Sequence, residues 1–151
     1  MKILSFLFLI CTIHSDCYPQ GTSGDKKAAI MLNEFYVAHA NIWSIFKTLP
    51  PDVFDQKLDS LQRKYCTAKL RNEAKKYIRD GFDLMTDDKG INLGALKTMT
   101  IVKDTTAKDI YLVSYDRLVN NGPPNSFVKR HVILSVGVVL VDENYKIASV
   151  N

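Results

Sequence analysis

The chain has 151 residues, of which 46% are hydrophobic and 24% charged. That size and balance exclude a multidomain enzyme, a disordered chain, collagen and a long coiled coil, and leave one domain with a sizeable core. Twenty Lys and Arg stand against 16 Asp and Glu, a net charge of +4, which falls well short of a dedicated nucleic-acid binder.

The first residues read as an address. Met1-Lys2 precedes an apolar run from Ile3 to Ile13, too short for the ~20 residues of a membrane-spanning helix and closed by His14-Ser15-Asp16. Ile13 and Ser15 suit the −3 and −1 positions of a signal peptidase site, so residues 1–15 are expected to be a signal peptide and the mature chain to be periplasmic or secreted. A lipid anchor on Cys17 is the competing reading, disfavoured because His14-Ser15-Asp16 makes a poor lipobox. In an oxidising compartment Cys17 and Cys66 can form a disulfide, although two cysteines are too few for a framework. No Cys/His cluster has zinc-ligand spacing, and no metal or cofactor is expected.

Residues 16–27, rich in Gly, Ser, Thr and Pro around 19–24, are expected to form a flexible tether to one α+β domain over 28–151. Over 28–46 the apolar residues Leu32, Phe35, Tyr36, His39, Ile42, Trp43 and Phe46 recur at helical spacing, and Pro50-Pro51 ends the helix. Asp52 is placed to cap a second helix whose apolar positions are Phe54, Leu58, Leu61 and Tyr65. The phase then slips, which predicts a break near Cys66-Thr67 with Thr67 as a new cap, before Leu70, Ala74 and Tyr77 resume the stripe.

After Asp80-Gly81 the pattern turns to strands rich in Val, Ile, Thr and Tyr, expected over 97–103, 110–115, 128–141 and 145–150. The 128–141 run is too long for a flat strand, and Gly137 near its middle gives it freedom to bulge or bend. Asp142-Glu143-Asn144 reverses the chain, with Asn144 expected at positive φ, and 119–126 forms a longer exposed loop. Helices followed by a strand meander give the α+β class: N-terminal helices packed on a curved antiparallel sheet of about four strands.

Three segments carry a family likeness: Phe35-Tyr36-Val37-Ala38-His39, Leu61-Gln62-Arg63-Lys64-Tyr65-Cys66-Thr67 and Tyr111-Leu112-Val113-Ser114-Tyr115. They resemble small exported bacterial proteins of a family of unknown function. The closing run from Val132 to Val141 and Asp142-Glu143-Asn144-Tyr145-Lys146-Ile147 is similar to the last hairpin of nuclear-transport-factor-2-like, or cystatin-like, folds. The resemblance implies a cone-shaped domain whose helices close over a bent sheet and leave a pocket. It carries no catalytic motif, and fold alone does not settle function.

Candidate sites follow from chemistry. His39 on the apolar side of the first helix, Tyr111 and Tyr115 on one strand face, and His131 from the neighbouring strand could together orient a small ligand in an apolar pocket. Asp83, Asp87, Asp88 and Gly90 lack the spacing of a calcium loop and read as an exposed turn. The clearest asymmetry is 57–79, where Lys57, Arg63, Lys64, Lys69, Arg71, Lys75, Lys76 and Arg79 face only Asp59 and Glu73, a surplus of six positive charges. Such a segment is either a solvated helical face or a docking patch for an acidic protein, an envelope glycan or an anionic lipid; export disfavours nucleic acid. The leading expectation is a noncatalytic exported binding domain, of which an inhibitor or immunity-type partner is one form. The alternative is a small pocket enzyme of the isomerase or hydrolase type built on His39, Tyr111, Tyr115 and His131.

Overall fold

The computed structural model describes residues 22–78, 82–88, 90–122 and 126–151. The expected signal peptide, Cys17 and Arg79 lie outside them.

Helix α1 spans Ser23–Ser44 and opens on a capping box. Thr22 Oγ1 accepts from the Asp25 amide at 3.3 Å, while Asp25 Oδ2 accepts from the Thr22 amide at 2.9 Å, so two orphan donors are satisfied at once. The tether expected over 16–27 is therefore already helical from Ser23. The Thr-Ser-Gly-Asp run that looks like a linker by composition is a helix start by spacing. Asp25 also accepts from the Tyr111 hydroxyl at 3.1 Å and sits 3.9 Å from Lys103 Nζ, which docks the first turn onto the sheet. The Thr22 bonds first, then Tyr111 and Lys103, hold its carboxyl below the usual range.

A single 3-10 turn, Phe46–Thr48, links α1 to α2, Pro51–Tyr65. Pro51 occupies the first helical position, where its missing amide costs nothing and its φ is preset, and Asp52 falls inside the first turn instead of capping it. The break at Cys66-Thr67 is present. Cys66 is extended and forms a parallel bridge with Ile147, the Thr67 amide donates to the Ile147 carbonyl at 2.9 Å, and Thr67 Oγ1 accepts from the Leu70 amide to cap α3, Ala68–Ile78.

Another 3-10 turn, Ala95–Thr98, replaces the first residues of the strand expected from 97. Asn92 Oδ1 accepts the Ala95 amide at 3.0 Å and starts that turn. The sheet is an antiparallel meander in the order β1-β2-β3-β4: Thr100–Lys103, Ile110–Asn120, Phe127–Val141 and Asn144–Val150. Strand β2 runs five residues past its expected end, so the 119–126 loop is shorter, closed by the Asn121 amide on the Ser126 carbonyl at 2.8 Å.

The β3–β4 register shifts at Gly137/Val138, and the extra residue, Ala148, lies on β4. That is why Ile147 and Val150, three apart, are both buried. Gly137 supplies close approach: a Cβ there would stand 2.4 Å from Ser149 Oγ. In the closing turn Asp142 and Glu143 take positive φ (46° and 64°), and Asn144 is already in the strand, its side chain bonded to the Asp142 carbonyl at 2.8 Å. Two consecutive left-handed residues match the strand twist, so the turn centre falls one residue earlier than expected.

Among the described residues, three α-helices pack on one face of this four-stranded sheet, an α+β fold whose sheet is not closed into a barrel. Leu32, Phe35, Tyr36 and His39 of the α1 stripe are buried against Tyr111, Val113, Tyr115, Leu134 and Val136. Phe46, at the end of the stripe, is exposed and stacks with Trp43 and Phe54 outside that core. None of the described helices is long and apolar enough to cross a membrane.

Candidate binding surface

The four expected pocket residues do not meet. His39, Tyr111 and Tyr115 are buried parts of the core, and His131 lies on the opposite, solvent-facing side of the sheet. Residues two apart on a strand share a face, but β2 and β3 are paired so that His131 stands opposite Asp116, not Tyr115. Its Nδ1 is 2.8 Å from Asp116 Oδ1, and Lys129 Nζ is 2.7 Å from Oδ2.

The buried tyrosines have structural partners. Tyr111 donates to Asp25, Tyr115 to the Thr86 carbonyl at 3.1 Å, and Tyr36 to the Met85 carbonyl at 3.2 Å. Burial is the main cause that pushes all three phenols well above their ordinary range, so none is poised to ionise.

His39 Nε2 lies 3.0 Å from Asp83 Oδ2 and 3.1 Å from the Trp43 indole nitrogen, and Nδ1 has no partner. Asp83 also accepts the Met85 amide at 3.1 Å and the Thr86 hydroxyl at 2.9 Å. The exposed turn expected around Asp83 is thus overturned at that residue: a carboxylate that accepts two hydrogen bonds and lies beside an imidazole can be buried, and Asp83 is. Asp87, by contrast, is exposed, and Asp88 pairs with Arg117.

Cys66 has no disulfide partner among the described residues, and burial pushes its thiol up to about 12 against the weaker pull of Lys146 and Arg71. The disulfide with Cys17 falls outside the described residues on the Cys17 side.

The basic residues of α2 and α3 remain as an exposed charged surface. Among the described residues their ion pairs go to Asp59, with Lys75 Nζ at 2.8 Å and Arg63 Nε at 2.6 Å. Lys75 first, then Arg63, lowers its carboxyl below the usual range. Lys64 lies over the Tyr65 ring at 4.7 Å. Lys57, Lys69 and Lys76 are exposed and enter no ion pair among the described residues, and Arg71 is half-buried with its Nε unpartnered. Between the helices a cleft of about 340 Å³ is lined by Asp55, Leu58, Asp59, Gln62, Lys75 and Ile78. A second, of about 270 Å³, lies where α1 and the end of α2 meet β4, beside Glu34, Lys64 and Lys146. Neither includes His39, Tyr111, Tyr115 or His131.

No family model matches the chain, and no curated protein matches it. Its fold is similar to the crystal structure of a protein of unknown function from Bacteroides thetaiotaomicron VPI-5482, with a TM-score of 0.66 and 22% identity over 83% of this chain and 89% of that one. At that identity the likeness shows the α+β architecture alone.

Proposed function

We propose that the mature chain is a noncatalytic exported binding domain that docks an acidic partner on the α2–α3 face. The observation that carries this reading is Lys57, Lys69 and Lys76: three exposed ammonium groups that enter no ion pair among the described residues, on the same two helices as Lys64 and as Arg63 and Lys75, whose shared carboxylate Asp59 offsets one charge. Unpaired like charges on one surface raise the local potential, speed encounter with an anionic partner and repel one another in its absence. The opening Met1-Lys2 and the apolar run to Ile13 support export. Helices leading into a four-stranded antiparallel meander support a nuclear-transport-factor-2-like or cystatin-like relationship. A pocket enzyme draws no support from His39, Tyr111, Tyr115 and His131, since three are core and the fourth is on the far face.

The test compares residues 16–151 with a Lys57→Gln, Lys69→Gln, Lys76→Gln variant on a polyglutamate surface at low and at physiological salt. Retention of the parent that falls with salt, and is largely lost in the variant at unchanged melting temperature, is the expected result. Equal retention of both proteins would overturn the docking face.

A further inference from the structure

Strand β3 is fifteen residues long, and β2 covers one side of it along Phe127–Gly137. Its other side is paired with β4 only from Val136, extended by the two bonds between Ser135 and Asn151. Because Ser135 bonds towards β4, and amides alternate sides along a strand, the N–H and C=O groups of Phe127, Lys129, His131 and Ile133 also point that way. No strand or loop among the described residues pairs with them. An open edge in line with an existing strand is a template for another strand.

The side chains along this edge select the occupant. Lys129 and His131 share the single carboxylate of Asp116, and Arg130, exposed on the opposite face, stands directly across from Arg117 and takes part in no ion pair among the described residues. A second copy paired antiparallel and centred on Arg130 would set Arg130 against its own counterpart and Lys129 against His131, and like charges directly opposite are destabilising. An acidic strand reverses the sign of that term. At the flanks Phe127 is 58% exposed, Ile133 61% and the neighbouring Leu118 65%, apolar surface that an incoming side chain would cover.

We propose that β3 between residues 127 and 134 accepts an extended segment of a partner protein as a fifth strand, acidic at its centre and β-branched or apolar at its ends. This site is separate from the α2–α3 face and does not depend on it.

The probe is a ten-residue peptide with Glu at its three central positions and Val, Ile or Thr around them, added to the 16–151 protein and followed by amide hydrogen exchange and NMR. In the free protein the amides of Phe127, Lys129, His131 and Ile133 are expected to exchange quickly, and saturation with peptide to slow them about tenfold or more. Alternate N-methylation of the peptide, which removes one edge of its hydrogen bonds, and Arg130→Glu should each abolish the protection; His131→Pro, tolerated at a sheet edge, should do so without touching the charge at Arg130. The Lys57, Lys69 and Lys76 substitutions should leave it unchanged, which separates this site from the helical face. No protection by the acidic peptide, equal protection in Arg130→Glu, or protection in the free protein that grows with its own concentration would overturn the proposal.

Discussion

Nε2 of His39 stands 3.0 Å from Oδ2 of Asp83, with both side chains withdrawn from solvent and 43 residues of chain between them. The pair ties the middle of α1 to the 82–88 loop. Removing one partner takes a contact from a buried polar group, which costs about 3–5 kcal/mol where that group remains charged. His39→Ala and Asp83→Ala are each expected to lose stability on that order in urea titrations, and the double variant to lose less than the sum. A coupling energy below about 0.5 kcal/mol would show that the two do not act together.

Gly90 and Gly122 both hold positive φ, at 93° and 120°, but in different surroundings. A Cβ on Gly90 would lie 2.3 Å from Trp43 Cδ2, whereas one on Gly122 meets nothing within 4 Å. Gly122→Ala should therefore cost only the backbone strain, about 1 kcal/mol, and Gly90→Ala that strain plus about 1–3 kcal/mol of overpacking. Thermal melts of the two variants separate the contributions, and equal losses would deny that Trp43 seals this turn.

The helical stripes, the break at Cys66-Thr67 and the four strand runs are legible because each is written in local periodicity. What could not be read is long-range. Asp83, Met85 and Thr86 carry the spacing of an Asx turn, yet nothing local announces that His39 will close over it. The register that turns His131 away from Tyr115 depends on where the β2–β3 loop closes, and a strand extended by five residues moved that point. Composition misled at residues 22–25, where Thr, Ser and Gly suggest a tether but Thr22 and Asp25 at capping-box spacing start a helix. The basic surface was visible as a count; which of its lysines lack counter-ions required Asp59 to be placed between the two helices.

Cys66 joins burial, at 4% exposure, to a thiol pushed up to about 12. The thiolate is the reactive form, so at pH 8 Cys66 in the native 16–151 protein carrying Cys17→Ser should react with a disulfide reagent far more slowly than a free cysteine, and at the free rate once unfolded in urea. Native-state labelling at the unfolded rate would contradict the buried setting at the elbow between α2 and α3.

Asp59 sets stability and surface charge against each other. Its folded carboxyl is depressed, chiefly by Lys75 and then by Arg63, so its contribution is complete above the ordinary carboxylate range and is lost as pH falls through the depressed folded value. Asp59→Asn should therefore flatten the acid limb of the stability curve while leaving Lys75 and Arg63 without their counter-ion. The same substitution should strengthen retention on polyglutamate at low salt, because it removes the negative charge at the centre of the basic face. A variant that is less acid-sensitive yet binds polyglutamate no better would separate Asp59's role in folding from any role of this face in docking.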